Sequence, residues 1–458
     1  MDGIGKVLVC NRGEIAVRVI RACRELGIPS AVAYSAADSD SRAVRLADEA
    51  VCVGPGPSPR SYLNVPALVH AAGKVGADAV HPGYGFLSED AHFARVCGDL
   101  GITFIGPTPE VITAMGDKTN ARRAMAAAGL PVPPGSEDPL SGPAEAAERA
   151  AEIGYPVILK AAAGGGGKGM RVVHRPEDLA DALADVAHTA RTIFLDDRVY
   201  LESFITAARH VEVQILGDQH GSIVHLGERD CSIQRRQQKL VEESPSTVLS
   251  AEMRERMCAA AVAGARAVGY SSAGTVEFLV DPAAEFYFME MNSRIQVEHP
   301  VTEVRSGVDL VAWMIRVAAG EPLAFGQADI AMTGHAIECR INSEDAANGW
   351  AGSFGTLERF VPPAGPGVRV DTHGFPGYRI PPYYDSLLAK VIVHADTRAE
   401  AMARMDRALA EFDCAGVATT IGFHRALMAH PRFRAGTHRL DFVENHLTAT
   451  GELSDTEL

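Results

Sequence analysis

Thr275-Val276-Glu277-Phe278-Leu279-Val280 and Phe286-Tyr287-Phe288-Met289-Glu290-Met291, joined by Asp281-Pro282-Ala283-Ala284-Glu285, decide how the rest of the chain is read. Both runs are rich in β-branched and aromatic residues and apolar on both faces, which predicts a hairpin of two buried strands. With Pro282 to Glu285 as the loop, Asp281 faces Phe286 and counting back sets Glu277 opposite Glu290. Like charges directly across a ladder repel, so this pairing in an apolar hairpin calls for a cation between them. Mg²⁺ fits, because it takes oxygen ligands from one or two carboxylates, substrate phosphates and water. Asn292, on the same face as Glu290, offers a third oxygen. The plainer alternative is a hairpin with a charged, solvated edge.

The chain continues Asn292-Ser293-Arg294-Ile295-Gln296-Val297-Glu298-His299-Pro300, alternating polar with mostly apolar residues toward a proline that favours an extended approach. Arg294, Gln296 and Glu298 are therefore expected side by side next to the metal. An arginine fork suits a small planar oxyanion, and a neighbouring glutamate suits a general base.

Outside this ribbon, 458 residues exceed one core and suggest about three domains. The 47% hydrophobic content is ample for a globular protein, and a net charge of -15 argues against nonspecific nucleic-acid or membrane-surface binding. No apolar run is long enough to span a bilayer, and the first strand starts too close to Met1 for a signal peptide. The 8 cysteines form no CxxC pair, which fits reduced thiols and a cytoplasmic location.

Toward the amino terminus, strands at Lys6 to Cys10, Ala31 to Tyr34, Glu49 to Val53, Ala79-Val80 and Thr103 to Ile105 alternate with helical stretches. That is the pattern of an open parallel sheet, whose functional loops lie beyond the strand carboxyl ends. Asn11-Arg12-Gly13 and His81-Pro82-Gly83-Tyr84-Gly85 occupy those ends, but no GxGxxG follows the first strand, so this is not a dinucleotide fingerprint. Arg12, Glu14 and Glu89 read equally as structural or functional.

After a helical stretch carrying Lys118, Pro131 to Pro143 forms a linker into a smaller module, with strands Pro156 to Ala161 and Met170 to Val173 flanking Gly164-Gly165-Gly166-Gly167-Lys168-Gly169. Such a loop admits a polyphosphate close to the backbone, with Lys160 and Lys168 on its rims. It is not a Walker loop, and lid behaviour is the natural expectation. Glu202, on the strand Val199 to Ile205, is placed to meet a purine or ribose. His210 opens the next strand and reads first as a packing residue. Glu228 to Lys239 holds three arginines and Lys239, either a solvated face or a source of cations for phosphate or carbonate, with Lys239 the strongest candidate.

Asn11-Arg12-Gly13-Glu14-Ile15-Ala16, His81 to Glu89, Met115-Gly116-Asp117-Lys118, the glycine loop, Glu228-Arg229-Asp230-Cys231-Ser232, Glu290-Met291-Asn292, Arg294 to Glu303 and Pro381-Pro382-Tyr383-Tyr384-Asp385-Ser386 follow one another in an order that resembles biotin carboxylase over nearly the whole chain. The resemblance implies an α/β, ATP-grasp fold with a Rossmann-like domain over 1–115, a grasp over 116–333 whose mobile lid spans about 132–204, a C-terminal domain over 334–447 and a tail over 448–458. It implies ATP-dependent carboxylation of biotin by bicarbonate through carboxyphosphate, the first half-reaction of an acyl-CoA carboxylase, with Mg²⁺ or Mn²⁺.

Carried over by motif, Lys118, Lys160, Gly166, Gly167, Glu202, Ser203, Phe204, Ile205, His210, Gln237, Glu277 and Glu290 contact ATP or its metal. Lys239, Arg294, Gln296 and the Val297 backbone hold bicarbonate, Glu298 deprotonates it, Arg340 stabilises the biotin anion with Tyr84 nearby, and Glu277, Glu290 and Asn292 hold the metals. Without the resemblance, Arg340 would read as a structural arginine on the strand Gly334 to Asn342. The implied partners are a biotin carboxyl carrier protein and a carboxyltransferase subunit, in a homodimer. The chain runs out soon after Leu447 without a Met-Lys-Met, so the biotin-bearing module is expected on another polypeptide or to have been cut away.

Three departures stand out. Gln237 replaces a histidine, Ser203 a lysine near the adenine, and Trp350-Ala351-Gly352-Ser353-Phe354-Gly355 the usual proline-serine-proline-glycine segment. Gln237 carries no charge and Ser203 is short, so weaker ATP binding is expected. The rival readings are another ATP-grasp carboxylate-amine ligase and a catalytically impaired nucleotide-binding subunit.

Overall fold

Val7-Leu8-Val9 is apolar without alternation, the mark of a strand covered on both faces, and in the computed structural model this strand, β1 (Val7–Val9), is fully buried. Residues 3–163, 169–447 and 452–454 are described. Around β1, β2 (Ser30–Ser35), β3 (Glu49–Gly54), β4 (Ala79–His81) and β5 (Thr103–Phe104) build a parallel sheet of order β3-β2-β1-β4-β5. Strand order reverses between β1 and β4, so the loops after these two strands part there and leave a crevice. Asn11 locks its wall, donating from Nδ2 to the carbonyls of Pro82 (2.6 Å) and Tyr84 (2.8 Å). Gly83, at φ +64°, has no room for a side chain, since a Cβ would lie 2.9 Å from Asn11 Nδ2.

A second sheet makes up the centre of the molecule. β9 (Arg209–Gly217), β10 (Ile223–Arg235), β11 (Gln238–Ser244), β12 (Ser272–Val280), β13 (Phe286–Asn292), β14 (His335–Asn342), β18 (Val368–Thr372) and β19 (Leu387–Ala395) join in the order β13-β12-β9-β10-β11-β14-β19-β18, every neighbour antiparallel. Short pairs are added by β15 (Glu344–Asp345) with β16 (Ala351–Gly352) and β17 (Arg359–Val361) with β20 (Asp413–Ala415). A smaller three-stranded sheet, β7 (Met170–Val173), β6 (Val157–Ala161) and β8 (Val199–Ser203), carries the helices Pro143–Ile153 and Leu179–Phe194 on a core of its own. The glycines and the lysine at 164–168, Gly166, Gly167 and Lys168 among them, lie outside the described residues.

The hairpin departs from the expected register and still keeps its result. The loop takes five residues rather than four, because Val280, not Asp281, pairs with Phe286. A bulge between Glu277 and Phe278 then inserts Met289, and Glu277 comes opposite Glu290 after all. The stretch after Asn292 is not a strand. It bends at Ser293 and Arg294, turns at Val297 and Glu298, and enters the helix His299–Ser306 with Pro300 in its first turn, where a missing N–H costs nothing. The arginine-rich run from Glu228 is not a solvated face. It is a hairpin limb whose Glu228, Arg229 and Asp230 are buried, with only the turn at Arg236 and Gln237 and the adjoining Gln238 exposed.

Candidate functional site

Strand alternation places a row of charged side chains across the central sheet. Glu290 of β13 pairs with Glu277 of β12, Glu277 with Glu212 of β9, and Glu212 with Arg229 of β10. Unpaired, these buried carboxylates are untenable, so cations converge on them. Lys239 Nζ donates to Glu212 Oε2 (2.5 Å), Glu277 Oε1 (2.9 Å) and Glu298 Oε1 (2.7 Å). Burial alone would drive its proton off, but Glu212, Glu277 and Glu298 together hold the ammonium charged, well above the ordinary lysine range.

Arg229, with no exposed surface, donates to Glu212, Gln214, Thr302, Thr275 and Gln296. It orients the Gln296 amide, whose Nε2 donates to Glu277 Oε1 at 2.8 Å. Arg340 of β14 reaches back over the row, donating to Glu242 Oε1 (2.7 Å) and Glu298 Oε2 (2.9 Å). Burial would raise the Glu298 carboxyl, but Lys239, Arg340 and Arg229 outweigh it and hold the group ionised far below the usual range. Glu242 follows burial instead and rises to about 7.

Beside the row, Arg294 donates from Nε to Glu89 Oε2 (2.8 Å) and from Nη2 to Asn292 Oδ1 (2.9 Å). Arg294, Gln296 and Glu298 thus meet the same cluster through a bend rather than a strand. The Val297 carbonyl accepts from Lys390 Nζ at 2.7 Å, and Glu14 binds both Lys390 (3.0 Å) and the Tyr84 hydroxyl. Glu14 and Glu89 therefore support the site. Arg12 instead packs on Asp38 (2.7 Å) and over the Tyr384 ring. Tyr84, Arg294, Val297, Arg340 and Tyr384 line one cleft of about 510 Å³ at the β1/β4 crevice.

On the other side of the row, Lys118 begins the helix Lys118–Ala127, capped by Asp117, and its Nζ lies 3.1 Å from Glu290 Oε2. Lys160 of β6 donates to Glu202 Oε2 (2.5 Å), whose other oxygen accepts from Arg122 (2.9 Å). The Ser203 and Phe204 amides are taken by the carbonyls of Pro134 (2.7 Å) and Pro156 (3.0 Å). His210 Nδ1 accepts from Gln234, and its Nε2 lies 3.2 Å from Glu277 Oε2. His210, Glu212 and Glu277 bring three buried ligand atoms within 4.8 Å of one another. Ile205 is partly exposed beside Phe204, and Gln237 stands at the tip of the β10–β11 turn.

The donor set suits Mg²⁺: paired carboxylates and an amide, with Lys118 at 3.1 Å from Glu290. Asn292, however, turns its Nδ2 toward Glu277 (2.9 Å) and its oxygen toward Arg294, so it serves as a metal ligand only after its amide rotates.

Residues 3–112 match the family described as Biotin carboxylase, N-terminal domain, residues 117–325 the Carbamoyl-phosphate synthase L chain, ATP binding domain, and residues 338–445 the Biotin carboxylase C-terminal domain. Biotin carboxylase 1 of Bacillus subtilis is 53% identical over 444 residues, covering 97% of this chain and 99% of its own length. The chain belongs to the biotin carboxylase family.

The biotin carboxylase of Haemophilus influenzae is 49% identical over 96% of this chain and 98% of its own. Among solved structures, the Campylobacter jejuni biotin carboxylase in a beta-gamma-ATP complex superposes with a TM-score of 0.95 at 46% identity, covering 97% of this chain and 99% of that one. The biotin carboxylase domain dimer of Hydrogenobacter thermophilus 2-oxoglutarate carboxylase, solved with MgADP, ADP and bicarbonate, gives 0.94 at 49% identity over 98% and 99%. The architecture is accordingly that of biotin carboxylase ATP-grasp enzymes.

Sequence reasoning missed Glu212, Arg229, Glu242 and Lys390. The first was within reach, since Glu212 and Gln214 alternate with Val211, Val213 and Ile215 on a strand fully buried on both faces.

Proposed function

We propose that this biotin carboxylase family member uses ATP and bicarbonate to carboxylate biotin borne on a carrier protein, with the residues of the charged row in the roles below. The observation that carries the reading is the meeting of Lys239, Glu298 and Arg340, from three separate elements, in one hydrogen-bonded cluster whose Arg340 lines the cleft beside Arg294 and Val297. Bicarbonate is planar and anionic, and Arg294, Lys239, the Gln296 amide and the Val297 backbone form the cradle we assign to it.

Lys239 donates to three carboxylates, so an incoming bicarbonate competes with them for it. As the ammonium shifts toward the anion, Glu298 loses its main counter-charge, burial raises its proton affinity, and it becomes able to take the bicarbonate proton. A bicarbonate oxygen then attacks the γ-phosphoryl group of ATP and ADP departs; the resulting carboxyphosphate breaks down to CO₂ and phosphate, the phosphate takes the ureido N–H proton of biotin, and the nitrogen adds to CO₂. Glu277, Glu290 and, with its amide rotated, Asn292 would hold Mg²⁺, which would supply charge neutralisation at the phosphates. Lys118, Lys160, Glu202, Phe204, Ile205 and His210 are assigned to the nucleotide, beside Gly166 and Gly167. Once Glu298 is protonated, Arg340 gives up one carboxylate partner and is available to the developing biotin anion beside Tyr84.

Gln237 and Ser203 are assigned to the phosphates and the adenine, with weaker ATP binding than a charged side chain gives. The rest of the reading is a homodimer acting in the cytoplasm with a carrier protein and a carboxyltransferase, and the described residues include no helix long and apolar enough to cross a membrane. The test is ADP release and carboxybiotin formation by the purified chain with free biotin, bicarbonate and MgATP. Both are expected to depend on biotin, and bicarbonate-dependent ATP hydrolysis that stays at background would overturn the proposal. The biotinylated protein that copurifies identifies the acceptor system.

A further inference from the structure

The hairpin that carries Gln237 turns in the smallest possible space. Arg235 pairs with Gln238 and Gln234 with Lys239, leaving only Arg236 and Gln237 between the strands. Both have positive φ, +48° and +65°. This is the backbone of a two-residue hairpin turn that Asn-Gly adopts readily and Arg-Gln does not. The ladder is irregular just before it, shifting at Asp230/Ile233 and again at Ile233/Gln234, so the regular pairing that braces the tip is limited to Gln234–Lys239 and Arg235–Gln238.

Two distant contacts brace the tip as well. The Arg236 N–H donates to Glu444 Oε1 at 3.0 Å. Glu444 sits in the helix Phe442–His446, which is seated by buried Phe442 and Val443. The segment leading into it is tied to β9, with the Leu440 N–H donating to the Ala208 carbonyl (2.9 Å) and Arg209 to the His438 carbonyl (2.5 Å). On the other flank, the Arg235 guanidinium lies 4.9 Å from the centre of the Trp350 ring, and Trp350 is itself buried against Phe423 at 5.0 Å. Trp350 and Gln237 are two of the places where this chain departs from the family pattern. Trp350 reaches the hairpin through Arg235, two residues before Gln237.

We infer that Glu444 and Trp350 are positioning residues, clamping the Arg236–Gln237 turn in the shape that presents Gln237 to the nucleotide. The inference rests on the assignment of Gln237 to the ATP phosphates. A neutral amide attracts a phosphate far less than a charged imidazolium does, so its contribution depends on being held in place beforehand. The stack on Trp350 and the bond to Glu444 supply that restraint from the C-terminal third of the chain.

The experiment uses the full chain with free biotin and compares Glu444→Ala, Glu444→Gln, Trp350→Leu and Gln237→Ala. It records kcat, the KM values for ATP and bicarbonate, MgADP affinity by calorimetry, and melting temperature. Glu444→Ala and Trp350→Leu are expected to weaken ATP and MgADP about three- to tenfold, leaving kcat and the bicarbonate KM unchanged. Glu444→Gln, which keeps an acceptor oxygen, stays near the parent. Adding Arg236→Asn to Glu444→Ala restores ATP affinity, because asparagine accepts this backbone conformation without help. A merely structural role would lower the melting temperature and kcat together and would not respond to asparagine, and that pattern overturns the inference. So does an unchanged ATP KM in Glu444→Ala and Trp350→Leu when Gln237→Ala raises it. An unchanged ATP KM in Gln237→Ala removes the assignment underneath, and the inference with it.

Discussion

Replacing Lys239 by glutamine removes a group shared by three buried carboxylates, at 2.5 Å from Glu212, 2.9 Å from Glu277 and 2.7 Å from Glu298. Breaking a buried ion pair by deleting one member costs about 3–5 kcal/mol. Here the low end applies, because Arg229 still holds Glu212 and Arg340 still holds Glu298. That is a loss of fold stability; removing a cation preorganised for the reacting anion separately costs about 3 kcal/mol of transition-state stabilisation, roughly a hundredfold in kcat/KM for bicarbonate at saturating ATP. The pH dependence is more diagnostic than the size. In the parent, Glu298 is held ionised far below neutrality by Lys239, Arg340 and Arg229 against the effect of burial, so activity should show no acid limb from this group near neutral pH. Without the ammonium, burial gains ground and the Glu298 pKa rises. Lys239→Gln should therefore begin to lose activity at a higher pH than the parent does on acidification. A variant within about threefold of the parent, with an unshifted profile, would refute the idea that Lys239 sets the charge state of the base.

Glu290→Gln removes a carboxylate that only Lys118 contacts among the charged groups of the described residues, at 3.1 Å. It should raise the Mg²⁺ concentration for half-maximal activity about tenfold or more, with excess Mg²⁺ restoring kcat, and an unchanged Mg²⁺ titration would count against this ligand. Glu243 is buried, which raises its pKa, but His335 and Arg398 outweigh burial and bring it down to about 2. With an unfolded value near ~4.3, it contributes about 3 kcal/mol, fully present above that value and lost as pH falls toward the folded one. Urea melts should show a shallower acid loss in Glu243→Gln than in the parent, and parallel slopes would contradict the assignment. Gln237→His should lower the ATP KM about three- to tenfold at or below pH ~6.5 and lose the benefit as the imidazole deprotonates. A KM that does not move would make the position silent.

The sequence discloses strands well where burial is uniform, as in Val7 to Val9, and where turn chemistry punctuates, as between Val280 and Phe286. It placed Glu277 opposite Glu290 through two errors that cancel, a loop counted one residue short and a bulge at Met289 that no pattern announced. Bulges answer to packing across the sheet, which a single strand does not record. Alternation from Arg294 to Glu298 pointed to a strand, yet the segment bends, because Ser293 and Arg294 bind Glu89 about two hundred positions earlier in the chain. Arg229 was invisible for the opposite reason. An arginine without solvent exposure is rare enough that composition argues against it, and only the convergence of Glu212, Gln214, Thr275, Thr302 and Gln296 makes the burial tolerable.

The central sheet has a bearing on how the chain divides. β11 lies directly against β14, from Val241 opposite Cys339 to Ser244 opposite Ala336, although some ninety residues, β12 and β13 of the same sheet among them, separate the two in the chain. Cutting the polypeptide near residue 334 would bare two long rows of amide and carbonyl groups. The two pieces would then seek each other, or any other strand, before behaving as separate modules. Fragments co-expressed from such a cut are better candidates for recovering the fold than either alone, and Arg340 would regain its place over Glu298 only through that reunion.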